Sequence, residues 1–108
     1  MLGARAVLVF RVASITMTAM PGMSAAEEAL KVRLFPGVAF RGDDDDRRAW
    51  LIGTSLDVWQ AIEAYKDADG NFDRTIAETD LTARDLRIAL RYYGRFPQEI
   101  DESIALDR

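Results

Sequence analysis

The sequence predicts a mainly α-helical domain with one small β-hairpin. From Ser55 onward, apolar residues recur at spacings of three and four, which is typical of amphipathic helices. Before Ser55, two short apolar stretches flank a run of four aspartates, as expected of a hairpin with a charged tip. The 108 residues, of which 49% are hydrophobic and 30% charged, suffice for one domain with its own core.

The first 22 residues are predicted to lie outside that domain. They combine two arginines with an apolar run that Arg11 interrupts, and neither part of the run approaches the roughly 20 residues that span a bilayer. Three interpretations stay open: an overlong start or disordered leader, an additional strand, and a short export signal. The domain is therefore expected to comprise residues 23–108.

Two short elements are expected at the start of this domain. Ser24 followed by Glu27 is a capping-box pattern and predicts a helix over residues 24–33. The hairpin is expected over residues 37–52, with the aspartates 43–46 solvated at its tip because like charges repel. Strand edges favour pairing with another chain, so we expect this hairpin to mediate a homodimer.

The remaining pattern predicts a three-helix unit and a short C-terminal helix. The three helices are expected at residues 56–66, 72–79 and 83–95, with Ser55 and Thr82 capping the first and the third. A short helix, a tight turn and a longer helix have the layout of a helix-turn-helix motif.

Small and helix-ending residues refine this prediction. Ala77 and Ala89 are expected to allow the two crossing helices to approach each other closely. Gly94 and Pro97 are expected to end the third helix, and residues 98–106 to form the last one.

The third helix of this unit divides into an apolar face and a basic face. Its inward side chains are expected to be Leu86, Ala89, Leu90 and Tyr93. On the other side, arginines recur at spacings of three, four and four, namely Arg84, Arg87, Arg91 and Arg95. These four arginines and Asp85 give residues 82–95 a net charge of +3, within a chain of net charge −4.

This basic face suggests nucleic-acid binding. Guanidinium groups on a recognition helix suit phosphates and guanine edges, and the start of such a helix usually enters the groove. The candidate DNA-binding residues are Thr82, Arg84, Arg87 and Arg91. The alternative is a solvated face, or one that pairs with acids such as Glu78 and Glu99.

The composition argues against an enzyme and against a cofactor. The chain contains no histidine and no cysteine, so imidazole-based triads, thiol nucleophiles and most zinc sites are excluded. The loop after Asp67 carries oxygen side chains at a calcium-loop spacing, but Phe72 stands where such a loop needs glycine. We therefore expect an interhelical loop without a metal. The lack of cysteine fits a cytoplasmic protein.

Residues 34–104 resemble the domain-of-unknown-function-433 family of small bacterial proteins. The matching pieces are LFPGVAFRG, RRAWLIGTSLDVW and AETDLT, followed by IALRYYGRFPQEID, in this order and spacing. The family is similar to VapB-type antitoxins. The resemblance implies a winged or helix-turn-helix fold, pairing with a PIN-like ribonuclease toxin, and repression of the shared operon.

A PIN-like toxin as partner predicts which side chains of this chain would contact it. Because a PIN-like nuclease site is acidic, an arginine of the antitoxin would suit it, and Arg95 and Arg108 are the candidates for that insertion. The leading hypothesis is thus a dimeric, cytoplasmic DNA-binding antitoxin and autorepressor. The alternative is a protein-interaction module without DNA binding, whose basic face docks an acidic partner.

Overall fold

The computed structural model describes residues 24–107, and it confirms the predicted fold class. The chain is mainly helical, with one two-stranded antiparallel hairpin. In order, the elements are α1 (Ala25–Leu34), β1 (Val38–Arg41), β2 (Arg48–Leu51), α2 (Val58–Asp67), α3 (Phe72–Glu78), α4 (Ala83–Arg95) and α5 (Pro97–Asp107). The predictions for residues 1–22 and for Arg108 lie outside the described residues.

Helix α1 and the hairpin form as the sequence predicts. The Ser24 side chain accepts a hydrogen bond from the Glu27 amide, and the Ser24 amide donates one to the Glu27 carboxylate, which completes the capping box. In the hairpin, Val38 pairs with Leu51 and Arg41 with Arg48. The aspartates between the strands are exposed, as expected of a run of like charges.

Helix α2 lies at the centre of the fold and begins later than predicted. It packs against β2 and against all three helices that follow it. Ser55 does not cap it, because residues 55–57 are held along the edge of β2: the Leu51 amide donates to the Leu56 carbonyl, and Trp50 bridges to Asp57. Asp57 is therefore the N-cap, and its amide donates to the Gln60 side chain at 2.8 Å.

The Asp57 carboxylate joins the hairpin to α2. It is buried, and it accepts hydrogen bonds from Arg41 Nε at 2.8 Å and from Arg48 Nε at 3.0 Å. Arg41 and Arg48 are cross-strand partners, so one carboxylate pairs with two guanidinium groups, and Arg48 also pairs with Asp46. The hydrogen bond that Arg48 donates to this carboxylate raises the pKa of the Arg48 guanidinium above its ordinary value.

The core is built between the hairpin and the helices α2, α4 and α5. Its most buried apolar members include Val38, Leu51, Val58, Ala61, Ile62, Leu86, Ala89 and Ile100. Gly37 marks a close approach at the start of the hairpin. Its φ is 103°, and a Cβ there would lie 2.7 Å from Ile88 Cδ1, so α4 packs directly over this turn.

The largest fully buried side chain is Tyr92, not Tyr93 as the sequence pattern suggests. Tyr92 packs edge-on against Phe35 at a centroid distance of 5.2 Å, and its hydroxyl donates to Glu99 Oε2 at 2.6 Å. Burial, followed by the hydrogen bond to Glu99, raises the pKa of Tyr92 well above its ordinary value. Lys31 Nζ donates to the other Glu99 oxygen at 2.7 Å and lies over the Phe96 ring. This cluster joins α1, α4 and α5.

Two further details of the prediction are wrong. Ala77 is exposed, and Thr75 takes the buried place on α3, with its hydroxyl donating to the Asn71 carbonyl at 2.7 Å. Gly94 does not end α4: the helix runs on to Arg95, and Phe96 is the C-cap. The predicted close packing at Ala89 agrees with its full burial.

Replacing Asp57 should weaken the fold strongly. Asp57→Ala removes the buried carboxylate that Arg41 and Arg48 share, so we expect a loss of about 2–3 kcal/mol in the free energy of unfolding. Urea denaturation measures this. Asp46→Ala is the control, because Asp46 is exposed and pairs only with Arg48, and it should cost less than about 0.5 kcal/mol. Equal losses in the two variants would contradict the assigned role.

The ion pair between Glu28 and Arg47 makes the stability depend on pH. Arg47 Nε and Nη2 donate to the two Glu28 oxygens at 2.8 and 2.9 Å, and these hydrogen bonds hold the Glu28 pKa below its ordinary 4.5. A lowered carboxyl pKa stabilises the fold above its unfolded-state value, and this contribution is lost as the pH falls through the folded-state value. Wild type should therefore exceed Glu28→Gln in stability at neutral pH.

This advantage of wild type should vanish in acid. Urea titrations between neutral pH and about pH 3 measure the difference. Glu102→Gln is the charge-matched control on the exposed face of α5, and its difference from wild type should not follow the same course. A Glu28→Gln difference that stays constant with pH would argue against the ion pair.

Candidate nucleic-acid interface

The turn between α3 and α4 fixes where the basic helix begins. Leu81 is buried, and its amide donates to Thr79 Oγ1 at 3.2 Å, while the Thr79 hydroxyl itself donates to the Thr75 carbonyl. This local bonding closes the turn without long side chains. A short helix, this turn and a longer helix, supported by α2, give the arrangement that the sequence predicts for residues 56–95.

Thr82 serves as the N-cap of α4. Its hydroxyl accepts a hydrogen bond from the Asp85 amide at 3.1 Å, and the Asp85 carboxylate accepts one from the Thr82 amide at 3.0 Å. The cap that the sequence predicts is thus confirmed, as a complete capping box. As a DNA contact, Thr82 stays a prediction, and its hydroxyl already has this structural task.

The buried face of α4 turns its arginines outward. Leu86, Ile88, Ala89 and Tyr92 are buried, whereas Arg84, Arg87, Arg91 and Arg95 are all exposed. From Arg84 to Arg95 the row extends about 16 Å along the helix axis. The structure therefore brings the three arginines predicted to bind DNA onto one solvent-facing surface, and we call Arg84, Arg87, Arg91 and Arg95 the arginine row.

The arginine row forms no ion pair within residues 24–107. The acids considered as its partners are taken elsewhere: Glu78 pairs with Arg74 at 3.2 Å, and Glu99 pairs with Lys31. Between residues 24 and 107, six cations form ion pairs, namely Lys31, Arg41, Arg47, Arg48, Lys66 and Arg74. Among the other cations of residues 24–107, Arg33 is the only one without an acidic partner.

The start of α4 has a different electrostatic character. A recess of about 350 Å³ lies there, lined by residues 53–56 and by Asp80, Leu81, Thr82 and Asp85. Both charged side chains of this lining are carboxylates. Because carboxylates repel phosphates, the start of α4 is less favourable to an anionic partner than the middle and the end of the arginine row. Sequence reasoning did not weigh Asp80, which precedes the helix and is exposed.

Arg95 stands at the other end of the row. It is exposed, and its guanidinium lies over the Phe96 ring at 5.5 Å. Phe96 in turn packs against Tyr92, so a fixed aromatic surface backs this arginine. Its predicted insertion into a partner site stays a prediction, and Arg108, the second candidate, is not among the described residues.

A second surface groove, of about 590 Å³, lies over Asp57 at the far side of the hairpin. Its guanidinium groups are held by acids: Arg41 and Arg48 by Asp57, and Arg47 by Glu28. Asp57 also accepts a hydrogen bond from Trp59 Nε1 at 3.3 Å. All three arginines of this groove are thus engaged in ion pairs that hold the structure together.

The interhelical loop after Asp67 is shaped by capping. Asn71 is the N-cap of α3, and its side-chain oxygen accepts from the Arg74 amide at 2.9 Å, so that oxygen faces the helix. Asp69 and Gly70 both have positive φ, of 56° and 74°. Among residues 24–107, no group of three or more acidic side chains is arranged to hold a metal ion.

In comparisons with models of known protein families, with curated proteins and with solved structures, the chain matches none of them. The resemblance of residues 34–104 therefore stays a prediction. None of the helices described between residues 24 and 107 has the length and apolar character needed to cross a bilayer.

The capping threonine and the exposed arginines of α4 should differ in how much their replacement lowers the free energy of unfolding. Thr82→Ala removes a hydroxyl that caps α4, so we expect a loss of about 1 kcal/mol in the free energy of unfolding. Arg87→Ala and Arg91→Ala alter exposed side chains and should change it by less than about 0.5 kcal/mol. Urea denaturation measures both, and Thr82→Ser should retain wild-type stability. A large loss in either arginine variant would show that the row supports the fold.

Proposed function

We propose that this chain is a DNA-binding protein of the antitoxin type, which represses its own operon and docks on duplex DNA through the arginine row. The observation that carries the proposal is the distribution of cations. Four of the five described cations without an acidic partner lie on one exposed helix face, although the chain as a whole has a net charge of −4. Such local clustering provides the phosphate contacts from which DNA affinity mainly arises.

The position of the row adds to this support. It lies on the second helix of a helix–turn–helix arrangement, and the buried face of that helix fixes its orientation. Helices in this position enter or flank the major groove in many DNA-binding proteins. Arg84, Arg87 and Arg91 are the proposed phosphate and base contacts, with Thr82 near them at the helix start.

The antitoxin part of the proposal is supported by the resemblance of residues 34–104. In this proposal the protein is cytoplasmic and neutralises a PIN-like toxin, and Arg95 is the arginine that inserts into the toxin's site. Co-expression with the product of the neighbouring gene tests this partner. A stable complex that Arg95→Ala weakens is expected, and no complex would remove the toxin from the proposal.

A homodimer is also proposed, and the strand edges of the hairpin support one arrangement of it. The bridge between Trp50 and Asp57 covers the outer edge of β2, so a second copy that extends the sheet would pair along β1. Nearby apolar side chains are about half exposed, namely Leu30, Leu34 and Ile52. Sedimentation equilibrium measures the association.

A second candidate is a protein-docking module that uses the same row without DNA. The carboxylates of Asp80 and Asp85 at the start of α4 favour it, because that end of a recognition helix normally faces the bases. An acidic partner could contact the row and avoid this end. Binding of neither cognate nor scrambled duplex would support this module.

The DNA proposal predicts a specific loss in arginine variants. Wild type should prefer the duplex upstream of its own gene over a scrambled duplex, in fluorescence anisotropy at about 50 and 200 mM salt. The double variant Arg87→Ala, Arg91→Ala should bind more weakly, and its salt slope should fall by about 2, since two phosphate contacts are lost. Far-UV circular dichroism should stay unchanged.

Arg33→Ala provides the matched control for the single variants. Like each member of the row, Arg33 is exposed and has no acidic partner among residues 24–107, but it lies on α1. It should reduce affinity far less than Arg87→Ala, although both remove one charge. Equal effects of these two variants would show a general charge effect and contradict docking through the row.

A further inference from the structure

Helix α1 presents charged side chains to the fold and apolar side chains to solvent. The Glu28 and Lys31 side chains are only 18% and 12% exposed, because both form ion pairs with other elements. Leu30 and Leu34, in contrast, are 49% and 54% exposed. No residue of this helix is buried. A surface helix normally has the reverse arrangement, with its apolar stripe packed on the core.

This arrangement leaves α1 weakly supported by the described chain. The helix has ten residues, and isolated helices of fewer than about 12–15 residues are marginal in water. Ion pairs that stay partly exposed add little to that. Ala26, Leu30 and Leu34 recur at a spacing of four and share one side of the helix, which we call the outer face of α1. Covering this face would supply the apolar burial that the helix lacks.

The outer face of α1 is complementary to a second copy of itself. In an antiparallel pair with a two-fold axis at Leu30, the two Leu30 side chains meet, and Leu34 of each copy lies opposite Ala26 of the other, large against small. The last turn of each helix, with Arg33, then lies beside the first turn of the other, with Glu27. Neither Arg33 nor Glu27 forms an ion pair within residues 24–107. Opposite charges thus become neighbours, whereas a parallel pair would place like charges together.

The outer edge of the hairpin is less open to a second copy than this helix. Along the outer edge of β1, the Val38 amide donates to the Phe35 carbonyl at 3.0 Å, and the Phe40 carbonyl accepts from Arg47 at 3.3 Å. A strand added along this edge would break both hydrogen bonds. Covering the apolar side chains of α1 breaks no hydrogen bond, because they form none. The helix is therefore the more favourable contact.

We propose that a second copy of this chain docks on the outer face of α1, as an antiparallel helix pair with its two-fold axis at Leu30. This inference rests on the homodimer in the proposed function, replaces strand pairing by helix pairing as its contact, and involves no residue of the arginine row. Helices about 15 Å long bury less than the roughly 800 Å² per partner of a standard interface, so we expect association in the micromolar range.

Sedimentation equilibrium of the full chain tests this contact. Wild type should form a dimer, and Leu30→Glu should weaken the association at least about tenfold, since it places two carboxylates at the axis. Leu106→Glu is the matched control, because Leu106 is 89% exposed on α5, and this variant should dimerise like wild type. Arg33→Ala should weaken the association by less than about threefold, since Arg33 lies at the rim of the pair. It therefore stays usable as a control for DNA binding.

Cysteine cross-linking tests the antiparallel register. The chain contains no cysteine, so each single variant carries one thiol. At the two-fold axis the two Leu30 positions can approach to the Cα–Cα distance of a disulfide, about 5.5–6 Å, whereas the two Leu34 positions are about 12 Å apart along the helix axis. Under mild oxidation, Leu30→Cys should form a covalent dimer, and Leu34→Cys and Leu106→Cys should not. Equal cross-linking of Leu30→Cys and Leu34→Cys would contradict the antiparallel pair.

The outcomes distinguish this contact from the proposals around it. If wild type is a dimer and Leu30→Glu associates equally well, the contact through α1 is overturned and the homodimer stands. If the full chain stays monomeric at about 100 μM, the homodimer and this contact are both overturned, and the outer face of α1 belongs to another occupant. DNA binding through the arginine row is measured separately and is affected by neither result.

Discussion

The buried side of α4 is the constraint on which this structure depends. Tyr92 is inaccessible to solvent, and its hydroxyl needs a partner inside the protein, which Glu99 provides at 2.6 Å. Lys31 completes the same cluster from α1, so three helices are held by one set of contacts. Because Tyr92 cannot turn outward without losing these contacts, the helix has only one orientation. The arginine row points to solvent as a consequence.

The ion pairs distinguish two groups of arginines. Those around the hairpin have acidic partners, whereas those of α4 have none among residues 24–107. Around the hairpin, Asp57 pairs with Arg41 and Arg48, Asp46 also pairs with Arg48, and Glu28 pairs with Arg47. Buried or partly buried guanidinium groups need such partners, since an unpaired charge away from water is costly. The arginines of α4 are exposed, so water solvates them and no internal acid is required. Their charge remains available to an external anion.

Sequence reasoning succeeded where local rules decide the outcome. The capping boxes at Ser24 and Thr82 and the two strands around the aspartates follow from short-range chemistry, and the structure contains them. It failed where distant contacts decide. Ser55 lost the capping position because β2 holds residues 55–57 at its edge. Tyr92 and Tyr93 are adjacent and alike in the sequence, and only the positions of Phe35 and Glu99 show which one is buried.

The candidate site was predictable in part for the same reason. The spacing of the arginines gives their common face, but the lack of internal acidic partners depends on where Arg74 and Lys31 take Glu78 and Glu99. Likewise, Gly94 resembles an ordinary helix end in the sequence, next to Pro97. Only the course of α4 through Arg95 to the cap at Phe96 shows that the glycine is inside the helix.

Three locally unfavourable choices meet on this one face of α4. Arg84 places a cation in the first turn, against the helix dipole, and Arg87, Arg91 and Arg95 repeat a like charge at spacings of four. Gly94 adds a backbone cost. The opposite face follows every packing rule, with Leu86, Ala89 and Tyr92 fully buried. Conflicts with local stability that are confined to one exposed surface are typical of binding sites, where an external ligand supplies the compensating interactions. The duplex DNA that we propose as the ligand offsets the repulsion among the arginines, because its phosphates neutralise them.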